Sequence, residues 1–314
     1  MVPDLLAVET RLKEALHDRS QLVTQMVSHT AGAGGKRLRP LLCLLAGAFG
    51  RPERRESVIR VAAGLELIHL ATLTHDDVVD AAPTRRGRPT ISALWGNGLA
   101  VLAGDWLFAT SFELLYVDSD ARLVRMIAHM VQALCAGAIA EAEQAGRLGS
   151  SLQPYYDRIY RKTAVFLETA CRAGALAAGA PPIVQATLAA YGRRVGMAFQ
   201  ITDDILDFTG DPAVLGKPIG GDLRHGIATL PMLLGQRDTA VRRLLERSFG
   251  RPHLSDDGVR RVAAALADAG ALGGARAVAL DLAAQARRAA QSLRRTGPVA
   301  ELCALADLAV DRDR

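Results

Sequence analysis

The stretch His69-Leu70-Ala71-Thr72-Leu73-Thr74-His75-Asp76-Asp77-Val78-Val79-Asp80 ends a helical run on an acidic box of the form Asp-Asp-x-x-Asp. A second box, Thr202-Asp203-Asp204-Ile205-Leu206-Asp207, ends another. On an α-helix residues i and i+4 share a face, so Asp76 and Asp80 point the same way and Asp77 is turned about 100° aside. One and two turns back, that face carries Thr72 and His69. In the second box Gln200, Asp203, Asp204 and Asp207 form one stripe. Like charges so placed repel by about 0.2–0.5 kcal/mol per pair unless something neutralises them. The apolar neighbours Val78, Val79, Ile205 and Leu206 predict partly buried helix ends, where lone carboxylates are costly. A hard divalent cation would relieve both effects. Carboxylates without Cys or a dense His set suit Mg²⁺, which bridges one or two of them to substrate phosphates.

The rest of the chain agrees with a helical reading. Ala and Leu recur throughout, β-branched alternation is sparse, and Gly/Pro breaks such as Ala81–Pro89, Gly146–Pro154 and Gly210–Gly221 separate segments of helix length. No break is long enough for a domain linker, which predicts a single all-α domain over residues 1–314. The 314 residues are 50% hydrophobic and 23% charged, too apolar for disorder. The apolar run Leu41–Phe49 is too short to cross a bilayer, and Asp4 and Glu9 spoil a signal-peptide reading, so no transmembrane segment is expected. Cys43, Cys135, Cys171 and Cys303 are scattered without a CxxC pair, which fits reduced cytoplasmic thiols and no zinc or redox motif.

Net charge is +5, but only four of the 38 basic residues are lysine: Lys13, Lys36, Lys162 and Lys217. The last three fall in basic clusters. These are Gly34-Gly35-Lys36-Arg37-Leu38-Arg39-Pro40, Lys162-Thr163, and the Gly-rich run Leu215-Gly216-Lys217-Pro218-Ile219-Gly220-Gly221-Asp222, which could fold over an anion as a lid. A fourth cluster, Arg85-Arg86-Gly87-Arg88-Pro89, follows the first acidic box with three guanidiniums suited to phosphate. The Gly34–Lys36 run fails as a Walker A loop because Thr30 and Arg37 stand where Gly and Ser/Thr are needed. Aromatics make up only 4% and the basic groups form no stripe, which argues against nucleic acid. Alternating acidic and basic clusters fit a small polyanionic ligand with a metal.

In this combination the sequence resembles the trans-isoprenyl diphosphate synthase (polyprenyl synthetase) family from about Gly34 to about Leu234. The Gly-Lys-Arg-Leu-Arg-Pro block, the two aspartate boxes and the Arg-Arg-Gly turn carry the resemblance in consistent order. It implies an isoprenoid-synthase helical bundle around a deep central apolar cavity. It also implies head-to-tail condensation of an allylic diphosphate with isopentenyl diphosphate. By the same resemblance Lys36, Arg39 and His69, with Arg86, hold the isopentenyl diphosphate. Asp76, Asp80 and Asp203 bind Mg²⁺, three ions in all, with Asp77, Asp204 and Asp207 in support. Arg85, Lys162 and Lys217 contact the allylic diphosphate, and Thr163 and Gln200 lie near the developing cation. One position departs from the pattern: Ile227 stands where many members have Lys. The family's heptaprenyl diphosphate synthase catalytic subunits are similar in this, and they need a small partner chain.

The family's short-chain members carry aromatic rings four or five residues before the first Asp, where this sequence has Thr72 and Ala71. The resemblance therefore implies a long-chain all-trans product of about C35. A plug from Phe108, Phe112, Trp106 or Trp95 would instead give a shorter C15–C20 product. A homodimer is expected, or a heteromer in which this chain is inactive alone. The expected location is cytoplasmic, with transient membrane contact for a lipid product.

Overall fold

The computed structural model describes residues 2–32, 34–116, 120–149, 151–211, 218–293 and 297–311. The described chain is all-α except for one two-residue hairpin. Its order is α1 (Val2–Ala15), α2 (Gln21–Ala31), α3 (Leu38–Gly47), a 3₁₀ turn at Pro52–Arg54, α4 (Arg55–Val79), β1 (Thr84–Arg85), β2 (Arg88–Pro89), α5 (Ile91–Trp95), α6 (Asn97–Tyr116), α7 (Ala121–Gln144) and α8 (Leu152–Ile159). A π-helical turn at Tyr160–Ala164 leads into α9 (Val165–Ala177) and α10 (Pro182–Thr209). There follow α11 (Gly221–His225), α12 (Leu230–Gly235), α13 (Thr239–Ser248), α14 (Asp256–Asp268), α15 (Ala271–Gln291) and α16 (Val299–Leu308). The sequence predicts one domain; the contacts fall into two compact units.

Unit 1 comprises Met1–Ala128, Ala170–Leu188 and Thr296–Pro298. Its spine is α4, whose Ala62, Ala63, Leu65, Leu67 and Ile68 are fully buried. Glycine lets helices approach closely at chosen points. A Cβ on Gly64 would fall 2.8 Å from Leu115 of α6, and one on Gly104 would fall 2.1 Å from the His75 imidazole. Farther along the unit, Gly174 of α9 lies against the backbone of Cys43 in α3, where a Cβ would meet the carbonyl oxygen at 2.0 Å.

Unit 2 comprises His129–Thr169, Ala189–Arg295 and Val299–Arg314. One of its clusters joins Tyr155, Ile159, Ala164, Met197, Ile201, Leu230, Leu233, Ala275 and Ala279. Another joins Phe208 to Leu223, Met232, Val241, Leu245 and the inward face of α14. Ser, Thr and Asp start several helices by accepting backbone N–H bonds, as Asp238 does for α13 and Ser255 for α14.

The sequence predicts no segment of membrane-crossing length, but by length and composition alone α4 with its 3₁₀ turn, α6 and α7 are each long and apolar enough to cross a bilayer. In α4 the apolar window is 72% buried within the protein, so it is a core helix; in α6 and α7 only 33% and 22% is buried.

Candidate active site

Both acidic boxes lie in the last turns of long helices, α4 and α10. The negative end of the helix dipole is there, so carboxylates are unfavourable unless a cation faces them. In unit 1, Asp76 and Asp80 are exposed and one turn apart, with the Asp80 amide donating to the Asp76 carbonyl at the helix end (2.8 Å). Asp77, one residue round, is buried and accepts from Arg85 Nε at 2.6 Å. Burial raises the Asp77 pKa and the Arg85 guanidinium opposes that rise.

The basic groups of unit 1 gather as well. Arg86 stands in the left-handed region (φ 52°) and lays its guanidinium over Gly35, where a Cβ would come within 2.9 Å of Nη1. Arg39, in the first turn of α3, reaches His69 Nε2 at 3.1 Å. Burial lowers the Arg39 pKa to about 10, against the pull of Glu66 and with the help of Arg86. Burial, then Arg39, Arg86, Arg85 and Arg37, hold His69 well below the usual histidine value, so its ring is neutral. Its Nε2 accepts from Arg39, and Nδ1 therefore carries the proton. Lys36 is exposed just before α3. Arg37, between them, turns away at φ 47° onto Glu9 (2.6 Å) and the buried Glu66 (2.7 Å). Arg39, His69 and Arg86 thus lie together, and the neighbouring Arg37 is fixed by its ion pairs to Glu9 and Glu66.

In unit 2, Asp203 is half-buried while Asp204 and Asp207 are buried. The Asp207 carboxylate accepts the backbone amides of Gly221 (3.2 Å) and Asp222 (3.0 Å), which fixes the start of α11. Asp204 accepts from the Tyr155 hydroxyl (2.7 Å) and from Gln200 Nε2 (3.0 Å), and Gln200 Oε1 accepts from Thr163 (2.7 Å). Burial raises the Asp204 pKa to about 6. Lys162 pairs with Glu141 at 2.5 Å, and Arg158 stands 3.7 Å from the same carboxylate. Lys162 and Thr163 both lie on the π-helical turn, a feature that recurs at functional sites. Lys217 lies outside the described residues. Ile227 is half-buried and donates its amide to Asp222.

Of the positions tied to chain length, Ala71 is fully buried, and Thr72 is half-buried with its hydroxyl donating to the His69 carbonyl (2.8 Å). Among the aromatic candidates for a plug, Phe108 stands beside His75, with ring centroids 5.8 Å apart. Trp95 instead packs edge-on to His29, and Phe112 is 39% exposed. Tyr155, Glu141 and Glu66 were not singled out from sequence, because their partners lie 49, 21 and 29 residues away.

The carboxylates suit a hard cation shared with a ligand. Among the described residues no three His, Cys, Asp or Glu converge on a cation site of their own. The exposed pair Asp76 and Asp80 is the donor set expected when phosphate oxygens complete the coordination of Mg²⁺.

Comparison with known proteins agrees. The sequence profile described as polyprenyl synthetase matches residues 20–266. The chain is 45% identical over 239 residues to heptaprenyl diphosphate synthase component 2 of Geobacillus stearothermophilus, covering 76% of this chain and 74% of that protein. It is similar to the crystal structure of heptaprenyl diphosphate synthase from Staphylococcus aureus, with a TM-score of 0.93, 31% identity, and coverage of 99% and 98% of the two chains. It is also similar to a polyprenyl synthase from Caulobacter crescentus complexed with calcium and isoprenyl diphosphate, with a TM-score of 0.91, 33% identity, and coverage of 99% and 95%. The helical architecture, the paired aspartate boxes and these likenesses together identify the chain as an enzyme of the polyprenyl synthetase family, a family of prenyltransferases.

Proposed function

We propose that the chain elongates an allylic diphosphate by successive head-to-tail condensations with isopentenyl diphosphate, giving an all-trans polyprenyl diphosphate and releasing diphosphate. The observation that carries this reading is the placement of both aspartate boxes at helix C-termini, where their charge calls for a cation. Asp76, Asp80 and Asp203 are the proposed Mg²⁺ ligands, with Asp77, Asp204 and Asp207 holding the surrounding structure. When bound, Mg²⁺ offsets the charge on the diphosphate leaving group. Calcium with isoprenyl diphosphate in the Caulobacter relative supports a divalent site.

The chain's own residues divide the remaining work. Lys36, Arg39 and Arg86 hold the diphosphate of isopentenyl diphosphate, and neutral His69 donates to it through Nδ1. Lys162, Arg85 and Lys217 contact the allylic diphosphate and draw off negative charge as the C–O bond breaks. Thr163 and Gln200 present oxygen to the allylic cation. The isopentenyl double bond attacks that cation, a C–C bond forms, and the departed diphosphate removes the proton. The apolar cavity that the family resemblance implies would exclude the water that quenches such a cation. Small residues at Ala71 and Thr72 support a long product of about C35, and the names of the Geobacillus and Staphylococcus relatives agree.

The exposed apolar side chains of α6 (Leu102, Phe112 and Tyr116) support burial against a second subunit. That subunit is either another copy or a small partner chain, and Ile227 together with the "component 2" in the Geobacillus relative's name supports the partner chain. The test is incorporation of labelled isopentenyl diphosphate with and without a chelator. Activity abolished by chelation and restored by Mg²⁺ supports the proposal; incorporation indifferent to metal overturns it.

A further inference from the structure

We infer that Tyr155 is a positioning residue for prenyl transfer, holding Asp204, Gln200 and Thr163 in the one arrangement that leaves the Thr163 lone pairs for the allylic cation. The inference rests on the function proposed above.

The hydrogen bonds themselves fix the direction of the chain. A carboxylate only accepts, so the side of Gln200 that meets Asp204 Oδ1 at 3.0 Å has to be the amide nitrogen. Gln200 Oε1 then faces Thr163, and at 2.7 Å the Thr163 hydroxyl has to donate to it. The Thr163 proton is thus committed within the protein, and what the hydroxyl presents to a ligand is the negative end of its dipole. A flipped Gln200 amide would reverse this and turn the hydroxyl proton outward, against a positive charge.

Tyr155 is the group that prevents the flip. Its hydroxyl donates to Asp204 Oδ2 at 2.7 Å, so both carboxylate oxygens are satisfied and the carboxylate cannot rotate without losing a bond. Tyr155 is itself immobile: it is 2% exposed, the Arg158 guanidinium lies 5.5 Å from its ring centre, and Tyr156 meets it edge-on at 5.4 Å. Arg158 is anchored in turn by a 2.5 Å bond to the Ala228 carbonyl. A second observation supports the arrangement. In an unbroken α-helix Tyr155 and Thr163 would stand about 80° apart around the axis. The wider π-helical turn at Tyr160–Ala164 reduces that angle, and both side chains meet the α10 stripe of Gln200 and Asp204.

The experiment is steady-state kinetics of the full chain carrying Tyr155→Phe, with Tyr156→Phe as control and a thermal melt of each. Tyr155→Phe is expected to lower kcat about tenfold, the loss expected for a hydrogen bond to a charged group, with both KM values held within about twofold. Combined with Thr163→Val it should cost no more than Thr163→Val alone, because both act on one chain. Should Tyr155→Phe fold poorly, Asp204→Asn serves in its place: its amide nitrogen can no longer accept from both Tyr155 and Gln200, and the same loss of kcat at constant KM is expected. An unchanged kcat in either variant, or fully additive losses in the double variant, overturns the inference while wild-type turnover leaves the proposed function standing. An inactive, folded wild-type chain would instead sink the proposed function.

Discussion

Arg37 occupies a conformation that few residues other than glycine accept, φ 47°, and two acidic partners hold it there. One of these, Glu66, is buried on α4, so Arg37→Ala strands a carboxylate. A loss of about 2–3 kcal/mol in denaturant unfolding is expected, with Lys36 and Arg39 displaced as α3 loses its anchor. His69 makes a second residue-scale prediction. Its folded pKa lies well below the unfolded value of about 6.5, so the unfolded chain takes up a proton that the folded chain refuses. Stability should therefore rise as pH climbs through that window and fall below it, and His69→Gln should flatten the denaturant midpoint between about pH 5 and pH 7. At this scale the sequence was legible wherever function is local. The boxes at Asp76–Asp80 and Asp203–Asp207 are spaced by helical geometry alone. The Tyr155–Asp204 bond and the Arg37–Glu66 pair join distant segments, and no local pattern marks them.

α4 and α10 each carry an acidic box at the end where the helix dipole opposes it, so charge there weakens the helix for the sake of the site. Asp76→Ala should leave the melting temperature unchanged or slightly raised while abolishing isopentenyl transfer. A large stability loss would mark Asp76 as structural instead. The glycines of α6 and α15 make a contrasting pair. Gly104→Ala pushes a methyl to 2.1 Å from the His75 ring beside the first box, and a destabilisation of about 1–3 kcal/mol with reduced turnover is expected. Gly273, inside α15, has nothing within 4 Å, so Gly273→Ala should stabilise by about 0.5–1 kcal/mol and leave turnover untouched. Helical periodicity made the all-α class legible. The π-helical turn at Tyr160–Ala164 was not, because it inserts a register change that a 3.6-residue period hides.

For the molecule as a whole, the question is how far a growing chain can extend along α4. Each helical turn is about 5.4 Å, roughly one isoprene unit. Ala71→Phe should shorten the product if the tail runs past that turn; an unchanged distribution would place the limit elsewhere, with Phe108 beside His75 the next ring to truncate. The apolar windows of α6 and α7, largely uncovered by the protein, carry no unbroken apolar run of membrane-crossing length in the sequence, because single polar residues interrupt them without making the helices polar. The most direct measurement is extension of farnesyl diphosphate by the purified chain with Mg²⁺ and labelled isopentenyl diphosphate, resolved by product length. The account predicts products lengthened in five-carbon steps to between C30 and C50. A folded chain that returns allylic primers of ten to twenty carbons unextended, alone and with a small partner subunit, would contradict it.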